Sequence, residues 1–101
     1  MIELKEGTIF KDSDNDYCCV LNIRYDEEYE EERIDFVYYS SLKAIQNFKN
    51  KFLKGEDPHD IASDRFEDYS LQDTISNIKN GNYELINLPI LSWRDLIETQ
   101  N

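Results

Sequence analysis

The run Tyr17-Cys18-Cys19-Val20-Leu21-Asn22-Ile23-Arg24-Tyr25 decides how this chain folds. Successive side chains of an extended strand point to opposite faces. Tyr17, Cys19, Leu21, Ile23 and Tyr25 are therefore expected on one face, and Cys18, Val20, Asn22 and Arg24 on the other. A second alternating run follows, with Ile34, Phe36 and Tyr38 on one face and Asp35, Val37 and Tyr39 on the other. Upstream, Gly7 precedes a short strand over Thr8-Ile9-Phe10-Lys11. The segment Asp12-Ser13-Asp14-Asn15-Asp16 then supplies turn formers. Connections this tight cannot cross over to a parallel partner, so the three strands are expected to form an antiparallel meander.

After Tyr39 the apolar period changes from two to about 3.6. Ser40 or Ser41 can cap a helix carrying Leu42, Ile45, Phe48, Phe52 and Leu53. Lys49, Lys51 and Lys54 suit its C-terminal dipole, and Gly55 can close it. Residues 56–69 read as a polar stretch anchored only by Ile61, Phe66 and Tyr69, with a short helical turn possible at Asp57-Pro58. Ser70 and Asp73 resemble a capping box and open a helix along Leu71, Ile75 and Ile78, which Asn80-Gly81 ends. Tyr83 to Ile86 reads as a fourth strand. Pro89 breaks the chain, and Ser92 with Asp95 can cap a terminal helix bearing Trp93, Leu96 and Ile97. The expected class is α+β: a small antiparallel sheet of three to four strands packed against two to three helices.

The chain has 101 residues, which suits one domain over 1–101 that buries roughly two-thirds of its unfolded surface. No apolar run reaches the roughly 18 residues of a membrane span, and no apolar segment follows a basic start. Neither membrane association nor export is therefore expected, and the localisation read here is cytoplasmic. The two cysteines, Cys18 and Cys19, are adjacent and point to opposite faces of one strand, which disfavours a bridge between them. They read as small buried hydrophobes in a reducing compartment.

Catalytic and metal-binding patterns are weak. Asp12, Asp14 and Asp16 match the first ligand spacing of a calcium-binding EF-hand loop. The glycine and the bidentate glutamate that such a loop requires are replaced by Tyr17 and Ile23. The glycines Gly7, Gly55 and Gly81 are too far apart to cradle a phosphate. His59 stands alone beside Asp60 in an acidic stretch, with no nucleophile–base arrangement around it. No catalytic residue, metal or cofactor is assigned, and the chain is expected not to be an enzyme.

Charge is the informative feature. The formal net charge is −11, with 22 acids against 11 bases. Residues 26–35 hold Asp26, Glu27, Glu28, Glu30, Glu31, Glu32 and Asp35 against the single base Arg33. Residues 56–73 repeat that balance with Glu56, Asp57, Asp60, Asp64, Glu67, Asp68 and Asp73 against Arg65. Between the two lie Lys43, Lys49, Lys51 and Lys54 with no acid among them. Tyr25, Tyr29, Tyr38, Tyr39 and Tyr69 sit in or beside the acidic segments. Tyrosine mixed with carboxylate suits a protein interface, because the ring gives contact area at low entropy cost.

Clustered carboxylates steer association with a basic partner and can occupy a groove shaped for phosphates. The candidate contact residues are Asp26, Glu27, Glu28, Tyr29, Glu30, Glu31, Glu32 and Asp35, joined by Glu67 and Asp68. In size and charge the chain resembles two groups of small acidic proteins. One comprises phage-encoded inhibitors of host defence nucleases, including anti-CRISPR proteins and DNA mimics; the other comprises immunity proteins that neutralise nuclease toxins. Either resemblance implies a non-catalytic inhibitor that covers the nucleic-acid-binding or catalytic surface of a basic enzyme, such as a nuclease. A regulatory or structural subunit that makes contact through its lysine-bearing helix is the alternative from a different class.

Direct nucleic-acid binding is expected to be absent. Phosphate affinity comes from Lys and Arg, and the lysines at 43–54 are flanked on both sides by acidic segments that repel the same backbone. A gel-shift titration of the isolated protein with DNA and RNA at physiological salt should show no complex. Tight, salt-sensitive binding would make the lysine helix the functional surface instead.

Overall fold

Three strands occur in the order read from the sequence: β1 (Ile9–Lys11), β2 (Tyr17–Asp26) and β3 (Glu31–Tyr39), each antiparallel to its neighbour. They continue into α1 (Leu42–Leu53), α2 (Pro58–Ile61), β4 (Phe66–Ser70), α3 (Leu71–Lys79) and β5 (Glu84–Ile86). This computed structural model describes residues 2–86. The break at Pro89 and the terminal helix expected from Ser92 and Asp95, with Trp93, Leu96 and Ile97, lie outside the described residues. The fold is α+β, built on a five-stranded antiparallel sheet of order β4-β3-β2-β1-β5.

β2 lies at the centre of the sheet and must bury side chains on both of its faces. One core joins Ile9, Cys19 and Val37 to Ile45 and Phe48 of α1 and to Ala62, with Tyr17, Leu21 and Phe66 at its margin. The other joins Phe10, Cys18, Val20 and Ile34, flanked by Ile23, Phe36 and Tyr38 and by Leu71 and Ile78 of α3. Helices therefore cover both faces of the sheet. Aromatic rings fill much of the remaining space. Phe48 stacks on Phe52 with centroids 5.8 Å apart. On the other side Phe10 meets Phe36 edge-on at 5.7 Å and stacks on Tyr83 at 5.6 Å.

One expectation fails at Leu21. The ladder pairs Val20 with Phe36 and then Asn22 with Asp35, so β2 carries an extra residue, a β-bulge, at this point. A one-residue slip turns every later side chain to the opposite face. Tyr17, Cys19 and Leu21 share the α1 face as expected, but Ile23 joins Cys18 and Val20 on the α3 face. Asn22 and Arg24 pass to the α1 face, beyond the reach of the helix.

A second difference is β4, which the polar reading of 56–69 did not reveal. β4 is an edge strand, and its Glu67, Asp68 and Tyr69 are exposed. It lacks the alternating apolar residues that mark a buried strand. Leu53 departs from the expected apolar stripe of α1 as well, at 59% exposure.

The helix signals are local and appear where they were read. Ser41 Oγ accepts from the Ala44 N–H at 3.2 Å, and Gly55 takes the left-handed φ of 95° just past the C-cap, Lys54. Asp57 accepts from the His59 N–H at 2.9 Å ahead of Pro58 at the start of α2. Ser70 accepts from the Asp73 N–H at 3.2 Å, and its carbonyl receives the buried Thr74 hydroxyl at 2.8 Å. Cys18 and Cys19 are free and fully buried, one in each core. Burial pushes both thiols up, Cys19 to about 12, which keeps them protonated and inert at neutral pH. Among the described residues no helix is long and apolar enough to cross a membrane.

Phe48 is 1% exposed and sits where α1 meets the sheet. Truncation to Ala is expected to cost about 3–5 kcal/mol by denaturant unfolding. A loss below about 1 kcal/mol would place Phe48 outside the core and overturn the packing described for α1.

Candidate functional site

The β2–β3 connection is a tight turn over residues 27–30. Asp26 closes it: Oδ1 accepts from the backbone N–H groups of Glu28 at 2.9 Å and Tyr29 at 3.2 Å. Glu30 takes the left-handed φ of 53°, a region L residues rarely adopt. The Asp26 carboxylate thus closes the turn from its base.

Below the tip, Arg24 of β2 stands directly opposite Arg33 of β3. Like charges at that position repel, and four carboxylates offset the repulsion. Arg24 grips Asp35 with two bonds, Nε to Oδ2 at 2.9 Å and Nη2 to Oδ1 at 3.2 Å. Its Nη1 meets Asp26 at 2.9 Å and its Nη2 meets Asp68 at 3.3 Å. Arg33 meets Glu31 at 2.9 Å and Asp68 at 3.1 Å, with the Tyr29 ring 4.3 Å from its guanidinium carbon. Asn22 adds a bond to Asp35 at 3.1 Å. Asp68 thus ties β4 to the hairpin through both arginines.

The pKa shifts follow this geometry. Hydrogen bonds to Asp35, then Asp26, hold the Arg24 guanidinium well above its ordinary value. The Tyr29 N–H, then the Arg24 guanidinium, holds Asp26 below the usual carboxylate range.

The sequence candidates therefore separate into two groups. Asp26, Glu31, Asp35 and Asp68 are bound into the arginine network, and Tyr29 lies against it. Glu27, Glu28, Glu30, Glu32 and Glu67 are exposed and enter no ion pair among the described residues. Sequence reasoning missed Arg24 and Arg33 as the organisers. Arg33 was visible as the one base in the acidic run, but the role of Arg24 depends on the bulge that sets its face.

The second acidic stretch is more dispersed. Asp57 caps α2 and is held low by the His59 N–H and then the His59 ring, while Asp73 sits in the first turn of α3. Asp12 is engaged as well. Its Oδ1 accepts from the Asp14 and Asp16 N–H groups at 2.9 and 3.0 Å, inside the β1–β2 turn. Among the described residues no group of three His, Cys, Asp or Glu side chains is placed to hold a metal ion.

An open groove of about 460 Å³ runs between α2 and the sheet, past Leu21, Arg24, Asp35, His59 and Phe66. The His59 ring stacks on Phe66 at 4.7 Å, and its Nδ1 lies 3.2 Å from Asp57. Among the described residues no Ser, Thr or Cys lines this groove. What the acidic end of the sheet offers chemically is a cluster of exposed carboxylates above an arginine network. No known protein family, characterised protein or solved structure was found to match this chain.

The Asp26 shift has a direct consequence for stability against pH. Its carboxyl titrates below the ordinary 3.8 in the folded protein, so it favours folding fully above that value. That contribution is lost as pH falls through the lowered value. Asp26→Asn keeps an oxygen for the turn amides but removes the charge facing Arg24. The variant should melt lower than the wild type at pH 7, and the two melting curves should converge as pH falls below about 4. Equal melting temperatures at pH 7 would assign Asp26 to turn geometry alone, because Asn keeps the oxygen that the turn amides use.

Proposed function

We propose that this chain is a small, non-catalytic inhibitor that binds a basic enzyme through the acidic end of its sheet. It covers the surface with which that enzyme holds nucleic acid or carries out its chemistry. The observation that carries this reading is the set of exposed glutamates on the β2–β3 hairpin that enter no ion pair among the described residues. Glu27, Glu28, Glu30 and Glu32 project from a turn closed by Asp26 and from the first residues of β3, above an arginine network that joins the two strands. Clustered carboxylates raise the rate of encounter with a positive surface.

A phage-type anti-defence inhibitor of the anti-CRISPR or DNA-mimic kind and an immunity protein against a nuclease toxin both use this chemistry. The former is the reading adopted. A reducing cytoplasm suits the two buried, unbridged thiols. A regulatory or structural subunit is supported by one separate observation: Lys43, Lys49, Lys51 and Lys54 enter no ion pair among the described residues.

Affinity capture separates these readings. The wild-type chain and a variant with Glu27, Glu28, Glu30 and Glu32 changed to Lys are immobilised and exposed to a lysate of the source or host cell. Asp26 and Glu31 are left in place because they hold Arg24 and Arg33. The wild type should retain a basic nucleic-acid-handling enzyme at low salt, release it at high salt and reduce its activity. The variant should fold, since exposed charge changes are usually worth within about 0.5 kcal/mol, and should lose the partner. Equal retention by both would leave the tip as a solubilising loop. Retention of an acidic protein by both would point to the lysine helix.

A further inference from the structure

We infer that the contact surface for the basic partner is the α3-side face of the hairpin, centred on Tyr25 and Tyr69, and that it takes arginine side chains. The inference rests on the inhibitor reading and names the face and the partner chemistry that this reading leaves open. The two faces of the acidic end differ in kind. On the α1 side, Asp26, Glu31, Asp35 and Asp68 are already occupied by Arg24 and Arg33, and the Tyr29 ring covers Arg33. An incoming cation would have to displace an internal one there.

Among the described residues the opposite side carries no such network. The ladder pairs Tyr25 with Glu32, Ile34 with Ile23 and Tyr69, and Phe36 with Glu67. Residues paired across a ladder share a face, so Tyr25, Glu32, Tyr69 and Glu67 lie with Ile34 on the α3 side. Ile34 is fully buried there, but Tyr25 is 62% and Tyr69 40% exposed. Of the five tyrosines in or beside the acidic segments, Tyr38 and Tyr39 pack against the two cores, and Tyr29, though 59% exposed, already carries Arg33 on its ring; Tyr25 and Tyr69 are exposed with no guanidinium of the described residues on them.

Charge complementarity and ring chemistry select the occupant. A guanidinium can lie on a tyrosine face while its N–H groups reach a carboxylate, and arginine does this better than lysine. The molecule already places a guanidinium on a tyrosine ring twice: Arg33 lies 4.3 Å from the Tyr29 centroid and also reaches Glu31 and Asp68, and Arg65 lies 4.8 Å from the Tyr39 centroid. Here Glu32 and Glu67 stand beside exposed rings with no internal guanidinium supplied among the described residues. Tyrosine and arginine are both enriched in binding hot spots, which tend to pair across an interface.

The test uses hexa-arginine as the probe and the isotopically labelled whole chain. Peptide titration followed by NMR should move the amides of Tyr25, Glu32 and Tyr69 most, and hexalysine should bind more weakly. Tyr25→Ser with Tyr69→Ser should weaken hexa-arginine by about 10-fold or more. Tyr25→Phe with Tyr69→Phe should retain it, and Tyr29→Ser should leave it unchanged. Largest shifts at Arg24 and Asp35, or undiminished binding by the double Ser variant at an unchanged melting temperature, would overturn the proposal. The wild-type shift map decides the matter even if the Ser variant does not fold. A captured basic enzyme held equally by the wild type and the double Ser variant would remove this surface and leave the inhibitor reading standing. If hexa-arginine maps to the tyrosines but no basic protein is captured, the inhibitor reading fails and the arginine-binding face remains.

Discussion

A central strand that must serve two cores is the constraint from which the rest of this structure follows. Up to Val20, β2 meets it by strict alternation, with Cys18 and Val20 on one side and Cys19 on the other. Past that point the helices no longer cover both faces equally, and the bulge at Leu21 changes which side chains go where. Ile23 moves under the α3 side, where apolar contact continues. Arg24 moves to the side that α1 does not reach, where it meets Asp26, Asp35 and Asp68. With unbroken alternation past Val20, Asn22 would stand opposite Ile34 and Arg24 opposite Glu32 on the α3 side, and Ile23 would face Arg33 among carboxylates. The ion-pair network is therefore a product of strand register as much as of charge.

Counting acids gave a misleading picture of where the negative potential lies. The excess at residues 26–35 is real, but about half of its carboxylates are bound to guanidinium groups of the same hairpin or of its neighbour Arg24. Asp26, Glu31 and Asp35 shape the platform; Glu27, Glu28, Glu30 and Glu32 are presented by it. Exposed ion pairs contribute little individually, yet a shared residue such as Asp68, which meets both arginines, fixes several side chains together. Two side chains tied to one carboxylate lose less additional freedom than two separate pairs would. The platform can thus hold a fixed outline despite its partial exposure.

What was legible in the sequence was what depends on near neighbours. Ser41, Asp57 and Ser70 announce their helices because a cap satisfies N–H groups only two or three residues away. The strands at 17–26 and 31–39 were visible because their apolar residues alternate. β4 escaped notice because an edge strand need not alternate, and Phe66 alone announces it while Glu67, Asp68 and Tyr69 face solvent. The side taken by Ile23 escaped because a bulge is a property of two strands, and no window on one of them contains it. The same holds for the site: the glutamates were evident, but their division into engaged and available groups required the partners of Arg24 and Arg33 to be known.

Cys18 and Cys19 are joined by one peptide bond and yet belong to different cores. The strand that forms the floor of one core is also the floor of the other, so neither can loosen alone. Any shift of β2 that opened space beneath α1 would withdraw Cys18 and Val20 from Phe10 and Ile34 beneath α3. The two cores are therefore mechanically a single cooperative unit despite lying on opposite sides of the sheet, and their loss is expected to be all-or-none. The adjacent thiols span that unit, and each would report on one side of the same event.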